Sequence, residues 1–136
     1  MAERGRLLFV ASEVYPLIKT GGLADVAGSL PAVLRQEGMD VRILLPAYRD
    51  VLDQTGPLAE IARFELAGEE VAVQETTLPG TGVTTWLLSH ESFSERVGNP
   101  YHDADGAPWA DNAERFMLLS RLAAAIALDE TPLDWR

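Results

Sequence analysis

Lys19-Thr20-Gly21-Gly22-Leu23-Ala24-Asp25-Val26 stands between a short apolar run, Leu7-Leu8-Phe9-Val10-Ala11, and a helical pattern that stops at Gly38. Strand, glycine turn and helix in that order are how α/β proteins build anion sites. The glycines let the backbone approach a ligand, and the helix start offers unpaired N–H groups at the positive end of its dipole. Lys19 adds a mobile cation and is the sole lysine of the chain. The combination suits a diphosphate, as in a nucleotide or nucleotide-sugar. The two adjacent glycines match neither the Walker loop nor the Gly-x-Gly-x-x-Gly fingerprint. On this local pattern alone, a tight βα turn with a solvated lysine explains the residues equally well.

Working outward, Leu7 to Ser12 reads as a buried parallel strand, because it is a continuous apolar run rather than an alternating one. Leu23, Val26, Ala27, Leu30, Val33 and Leu34 recur at helical spacing, and Gly38 supplies a helix stop. Pro31 inside this pattern predicts a kink, or a restart after Gly28-Ser29. Val41 to Leu45, closed by Pro46, completes a βαβ unit. Ile61 to Leu66, Val71 to Leu78 and Val83 to Ser89 then read as three strands with glycine-containing connections, an antiparallel meander beside the parallel sheet. Glu91 to Ala110 is a long loop with turn chemistry at Gly98-Asn99-Pro100 and Asp105-Gly106. Asp111-Asn112-Ala113-Glu114 resembles a capping box opening a helix whose stripe is Phe116, Leu119, Leu122, Ala123 and Ile126. The sequence stops at Trp135-Arg136, where a further strand is due.

The 136 residues suffice for one domain, and no apolar run is long enough to span a membrane. The start, Met1 to Arg6, lacks a signal-peptide core, so a cytoplasmic location is expected. With no cysteine, disulfides, thiolate metal sites and a cysteine nucleophile are excluded. A net charge of −10 argues against nucleic acid as a partner, since phosphate neutralisation needs clustered Lys and Arg.

Ser12-Glu13-Val14-Tyr15-Pro16-Leu17-Ile18, running into Lys19-Thr20-Gly21-Gly22-Leu23, resembles the amino terminus of bacterial glycogen synthases and plant starch synthases. The likeness continues through Gly28-x-Leu30-Pro31, Leu44-Leu45-Pro46, Tyr48, Gly98-Asn99-Pro100-Tyr101 and Asp111-Asn112-x-x-Arg115-Phe116, in family order. The resemblance implies an α/β fold, a partial Rossmann-like domain of the two-domain GT-B glycosyltransferase arrangement. It further implies transfer of glucose from ADP-glucose to the non-reducing end of an α-1,4-glucan with retention, and no metal or other cofactor. Residues 1–136 would be the truncated acceptor-side part of the catalytic domain. The second Rossmann-like domain, its partner in the intact enzyme, would lie outside this sequence, and the piece alone is expected to be inactive. The alternative is a stand-alone module that binds nucleotide-sugar or glucan without catalysis.

By the same resemblance Lys19, Thr20, Gly21 and Gly22 would hold the diphosphate. Asp25 either complements the helix dipole or bonds sugar hydroxyls, and Glu13 either contacts the glucosyl unit or supports the loop. The family's Pro-Tyr tyrosine, here Tyr101, reaches toward the transferred glucose, though a loop anchor is the other reading. Asn112 contacts ligand or caps its helix; Arg115 steers anions or pairs with Asp111 one turn earlier. No catalytic residue is assigned. Asp103-Ala104-Asp105 reads as a turn rather than a metal motif, His90 as a strand-end residue and His102 as a loop residue. An incomplete sheet with an uncovered apolar face leads us to expect weak self-association.

Overall fold

The computed structural model describes residues 5–135. Strand β1 (Arg6–Val10), helix α1 (Gly22–Gln36) and strand β2 (Asp40–Pro46) form the expected βαβ unit, with the strands parallel and Phe9 opposite Ile43. Helix α2 (Arg49–Thr55) follows, then strands β3 (Ala59–Leu66), β4 (Glu69–Thr77) and β5 (Thr84–Ser89), short helix α3 (Glu91–Ser94) and helix α4 (Asn112–Ala127). All five strands belong to one sheet in the order β1-β2-β5-β4-β3. The three later strands form the expected antiparallel meander, which joins the parallel part of the same sheet through β5. β5 pairs antiparallel with β4 but parallel with β2, placing Trp86 opposite Leu44.

Both faces of the central strands are covered. Ile43, Leu44, Leu45, Leu87 and Leu88 are all fully buried, which explains the unbroken apolar runs that marked these strands. β1 lies at the sheet edge instead, and its residues are half-buried or exposed rather than buried as expected.

Helix α4 turns Leu118, Leu119, Leu122, Ala125 and Ile126 inward, close to the expected stripe, and packs across β1, β2 and β3. Helix α1 departs from expectation. It runs unbroken through Pro31, and its buried residues are Ala24, Ala27 and Pro31. Leu23, Val26, Leu30 and Val33 remain 43–52% exposed. The reason is close approach. The Tyr15 N–H donates to the Ala24 carbonyl at 3.0 Å, and a Cβ at Gly28 would meet the Tyr15 carbonyl oxygen at 2.6 Å. Only small side chains fit on that side of the helix.

Helix α2 was not anticipated, since seven residues are too few to show a helical period; it buries Val51. Among the described residues no helix is long and apolar enough to cross a membrane.

Candidate functional site

The three parallel strands β1, β2 and β5 end on one edge of the sheet, so residues 11–21, Ala47-Tyr48 and the long loop from His90 gather there. In open α/β sheets this carboxyl edge is where ligands bind. Glu13 sits at its centre, 2% exposed. Its Oε1 accepts the N–H groups of Thr20 at 3.2 Å and Gly21 at 2.9 Å. Its Oε2 accepts the Thr20 hydroxyl at 2.5 Å and the Tyr101 hydroxyl at 2.7 Å. Because Tyr101 donates to Glu13, Ser12 must be the donor in the 2.7 Å contact between its Oγ and the Tyr101 oxygen. Tyr48 completes the floor by donating to the Ser12 carbonyl at 2.8 Å.

Above this floor, Lys19 and Asp25 form a two-pronged ion pair. Nζ lies 2.9 and 2.8 Å from the two carboxylate oxygens, and both side chains are about half exposed. Gly21 is the N-cap of α1 and no side chain caps this 15-residue helix. Gly22 is exposed, and nothing stands within 4 Å of where its Cβ would be. The N–H groups of Gly22 and Leu23, in the first helical turn, have no intrahelical acceptor available. A hollow of about 370 Å³ opens beside the turn, lined in part by Lys19, Thr20, Asp50, Gln54, Asn99 and Pro100.

The Pro100-Tyr101 segment is fastened from several directions. Asn99 Oδ1 accepts the N–H groups of Tyr101 and His102, each at 2.8 Å. Asn112 Nδ2 donates to the Tyr101 carbonyl at 3.0 Å, and Arg115 Nη1 donates to the Pro100 carbonyl at 3.0 Å. Phe116 packs against the Tyr101 ring, with centroids 5.9 Å apart. Gly98 is required here: its φ is +147°, and a Cβ would meet the His102 carbonyl oxygen at 2.4 Å.

Comparison with known proteins puts this arrangement in context. The family model described as the starch synthase catalytic domain matches residues 6–135. The chain belongs to the starch synthase catalytic-domain family. It is 49% identical over 131 residues to glycogen synthase 1 of Methylococcus capsulatus, covering 96% of this chain and 26% of that protein. It is 50% identical over 132 residues to the glycogen synthase of Cellvibrio japonicus, covering 96% and 27%. The chain thus spans about a quarter of the length of these relatives. The catalytic domain of starch synthase IV from Arabidopsis thaliana, solved with ADP and acarbose, shares the fold: TM-score 0.65 at 24% identity, covering 91% of this chain and 25% of that one.

Within this starch synthase family chain, the two blocks of the resemblance are physically one unit. Asn112 and Arg115 hold the carbonyls of Pro100 and Tyr101, so the helix motif positions the loop motif. Two expectations fail here. Asp111 makes no side-chain cap, and it does not pair with Arg115. Arg96 instead takes both Asp111 oxygens, at 2.5 and 2.6 Å, and holds the carboxyl below its usual pKa. Arg115 is 2% exposed and is satisfied by the Ser92 and Pro100 carbonyls and Asn112 Oδ1. Burial lowers its pKa. Asn112 is the first residue of the helix, not its cap.

Burial works against ionised Glu13, but the hydroxyls of Thr20 and Tyr101 and the N–H groups of Gly21 and Thr20 outweigh it and hold its pKa below the usual value. Burial also pushes the Tyr48 and Tyr101 phenols up. The Asp25 carboxylate raises the pKa of Lys19. Sequence reasoning missed Ser12 and Tyr48, whose contacts are with the backbone or with residues far along the chain.

The remaining polar motifs lie elsewhere or are spent. Asp103 Oδ1 accepts the N–H groups of Asp105 and Ala107, which makes the Asp-x-Asp segment a turn. His90 caps α3. No group of three or more His, Asp or Glu among the described residues is placed to hold a metal ion. A larger groove of about 530 Å³ lies between the β3–β4 hairpin and α4. Of the residues considered above for ligand contact only Arg115 lines it, and the Arg115 guanidinium is already bonded to the Ser92 and Pro100 carbonyls and to Asn112, so the Lys19 hollow is the stronger candidate.

Proposed function

We propose that this chain is the part of an α-glucan synthase that meets the donor diphosphate and the transferred sugar. The whole enzyme would move glucose from ADP-glucose to the non-reducing end of an α-1,4-glucan with retention. The observation that carries this is the uncapped start of α1, with Lys19 beside it, in a chain of the starch synthase catalytic-domain family. The relatives named glycogen synthase and the starch synthase solved with ADP and acarbose support the same reading.

Charge accumulates on ADP as the glycosidic bond breaks. Lys19 and the free N–H groups of Gly22 and Leu23 offer that charge preorganised positive groups without a metal. The Gly21 N–H belongs to Glu13, so Glu13 shapes the turn rather than touching sugar. Tyr101, its hydroxyl already engaged, offers the sugar its ring. Asn112 acts through Tyr101. The reading includes a second Rossmann-like domain closing over this edge, a cytoplasmic location and no transfer by the 136-residue chain alone.

Titration of the chain with ADP-glucose tests it. Saturable binding that weakens at least tenfold in Lys19→Ala supports the site. Binding unchanged by that substitution rejects the lysine role, and glucose transfer by the chain alone rejects its dependence on a further domain.

A further inference from the structure

The turn that is proposed to take a diphosphate already holds two anions of its own, and they differ in how firmly they are bound. Glu13 is buried and saturated by four donor contacts, none of them from a cation. No ligand displaces it without opening the floor. Asp25 is half exposed, and among the described residues its carboxylate is held by Lys19 alone. An exposed pair of this kind is weak and is screened by salt. It is nevertheless satisfied: both carboxylate oxygens lie within 3 Å of Nζ.

We infer that Asp25 is a displaceable internal counter-anion that parks Lys19 over the first turn of α1 until an incoming diphosphate takes its place. The inference rests on the proposed diphosphate reading of the turn. Its consequence is specificity. A neutral glucan carries no charge with which to compete for the ammonium group, so it leaves the pair closed. A diphosphate brings at least two negative charges and can reach Lys19 and the free N–H groups of Gly22 and Leu23 together. Asp25 thereby sorts donor from acceptor at the same edge of the sheet, and it does so by positioning Lys19 rather than by touching reacting atoms. The device needs an exposed pair: were Lys19–Asp25 buried, breaking it would cost several times more and the turn would stay shut.

The test uses inorganic pyrophosphate as the probe and the 136-residue chain as the protein. Asp25→Asn keeps the side-chain size and removes the competitor, so pyrophosphate binding by calorimetry is expected to tighten roughly two- to fivefold. In the double variant with Lys19→Ala that gain is expected to vanish. Weaker or unchanged binding in Asp25→Asn, with Lys19→Ala still weakening it, overturns the inference and leaves the diphosphate reading standing. Insensitivity to Lys19→Ala, or no binding by parent and Asp25→Asn alike, overturns both. A ligand-free readout is also at hand, because the sole lysine gives a single ammonium ¹⁵N–¹H signal. That signal is expected to move in Asp25→Asn and again on adding pyrophosphate to the parent. A signal unmoved by Asp25→Asn shows that no pair forms in solution and overturns the inference.

Discussion

Glu13 and Asp25 flank one glycine turn and are held in opposite ways. Glu13 is buried among uncharged donors from two separate loops, whereas Asp25 stands in solvent against a single cation. A buried carboxylate persists when its lone pairs are filled, with or without a counter-charge. An exposed one gains little from its partner and gives it up readily. The contrast separates what builds the site from what operates it. The floor joins residues 12–21 to the Tyr101 loop and fixes the shape of the turn, while the rim leaves the cation free to change partners.

The largest expected effect breaks the floor. Glu13→Ala leaves two N–H groups and two hydroxyls without their acceptor, and a loss of about 2–5 kcal/mol in unfolding free energy is expected from unsatisfied buried donors. Asp25→Ala removes a partner from solvent and is expected to leave the denaturation midpoint unchanged within error. Chemical denaturation of the two variants side by side checks this. Equal losses would erase the distinction between floor and rim.

A smaller effect sharpens the same contrast through pH. The folded-state pKa of Glu13 lies below its unfolded value of about 4.5, so the ionised carboxylate contributes stability that is complete above that pH. The contribution is lost as pH falls through the folded-state pKa. Glu13→Gln cannot titrate, so its stability is expected to fall less steeply than that of the parent below about pH 4.5. Asp111, held down by Arg96, still contributes to the acid limb in both proteins. Thermal melts from pH 6 to pH 3 read the difference, and parallel curves would show that folding does not lower the pKa of Glu13.

What the sequence disclosed follows from which interactions are local. The continuous apolar runs of β2 and β5 announced strands covered on both faces, and the glycine turn announced the start of α1. Glu13 could be named as a strand-end candidate, but its choice between sugar and loop could not be made, because its partners Thr20 and Tyr101 are brought together only by the fold. Arg115 shows the limit plainly. The one-turn spacing to Asp111 favours a helical ion pair, yet Arg96, fifteen residues upstream, claims Asp111. Arg115 then turns to carbonyls that carry no sequence signal, since every residue has one. Ser12 and Tyr48 escaped for the same reason.

Helix α1 carries the closed-versus-open contrast onto a larger surface and gives the smallest expected effect on stability. Its inner side is sealed by Ala24, Ala27 and Pro31, while Leu23, Val26, Leu30 and Val33 line the outer side without cover. Aliphatic residues at this spacing form one continuous stripe along the helix and are the natural seat of the weak self-association expected of the chain. Leu30→Glu alters a residue that is already 43% exposed, so stability is expected to change by no more than about 0.5 kcal/mol. A charge in the middle of the stripe must nonetheless be desolvated if two copies meet there. Sedimentation velocity over a concentration series is therefore expected to show association in the parent and a concentration-independent monomer in Leu30→Glu. Association that survives the substitution would move the contact to β1, an outer strand of the sheet among the described residues, where strand pairing rather than aliphatic side chains would hold the copies together.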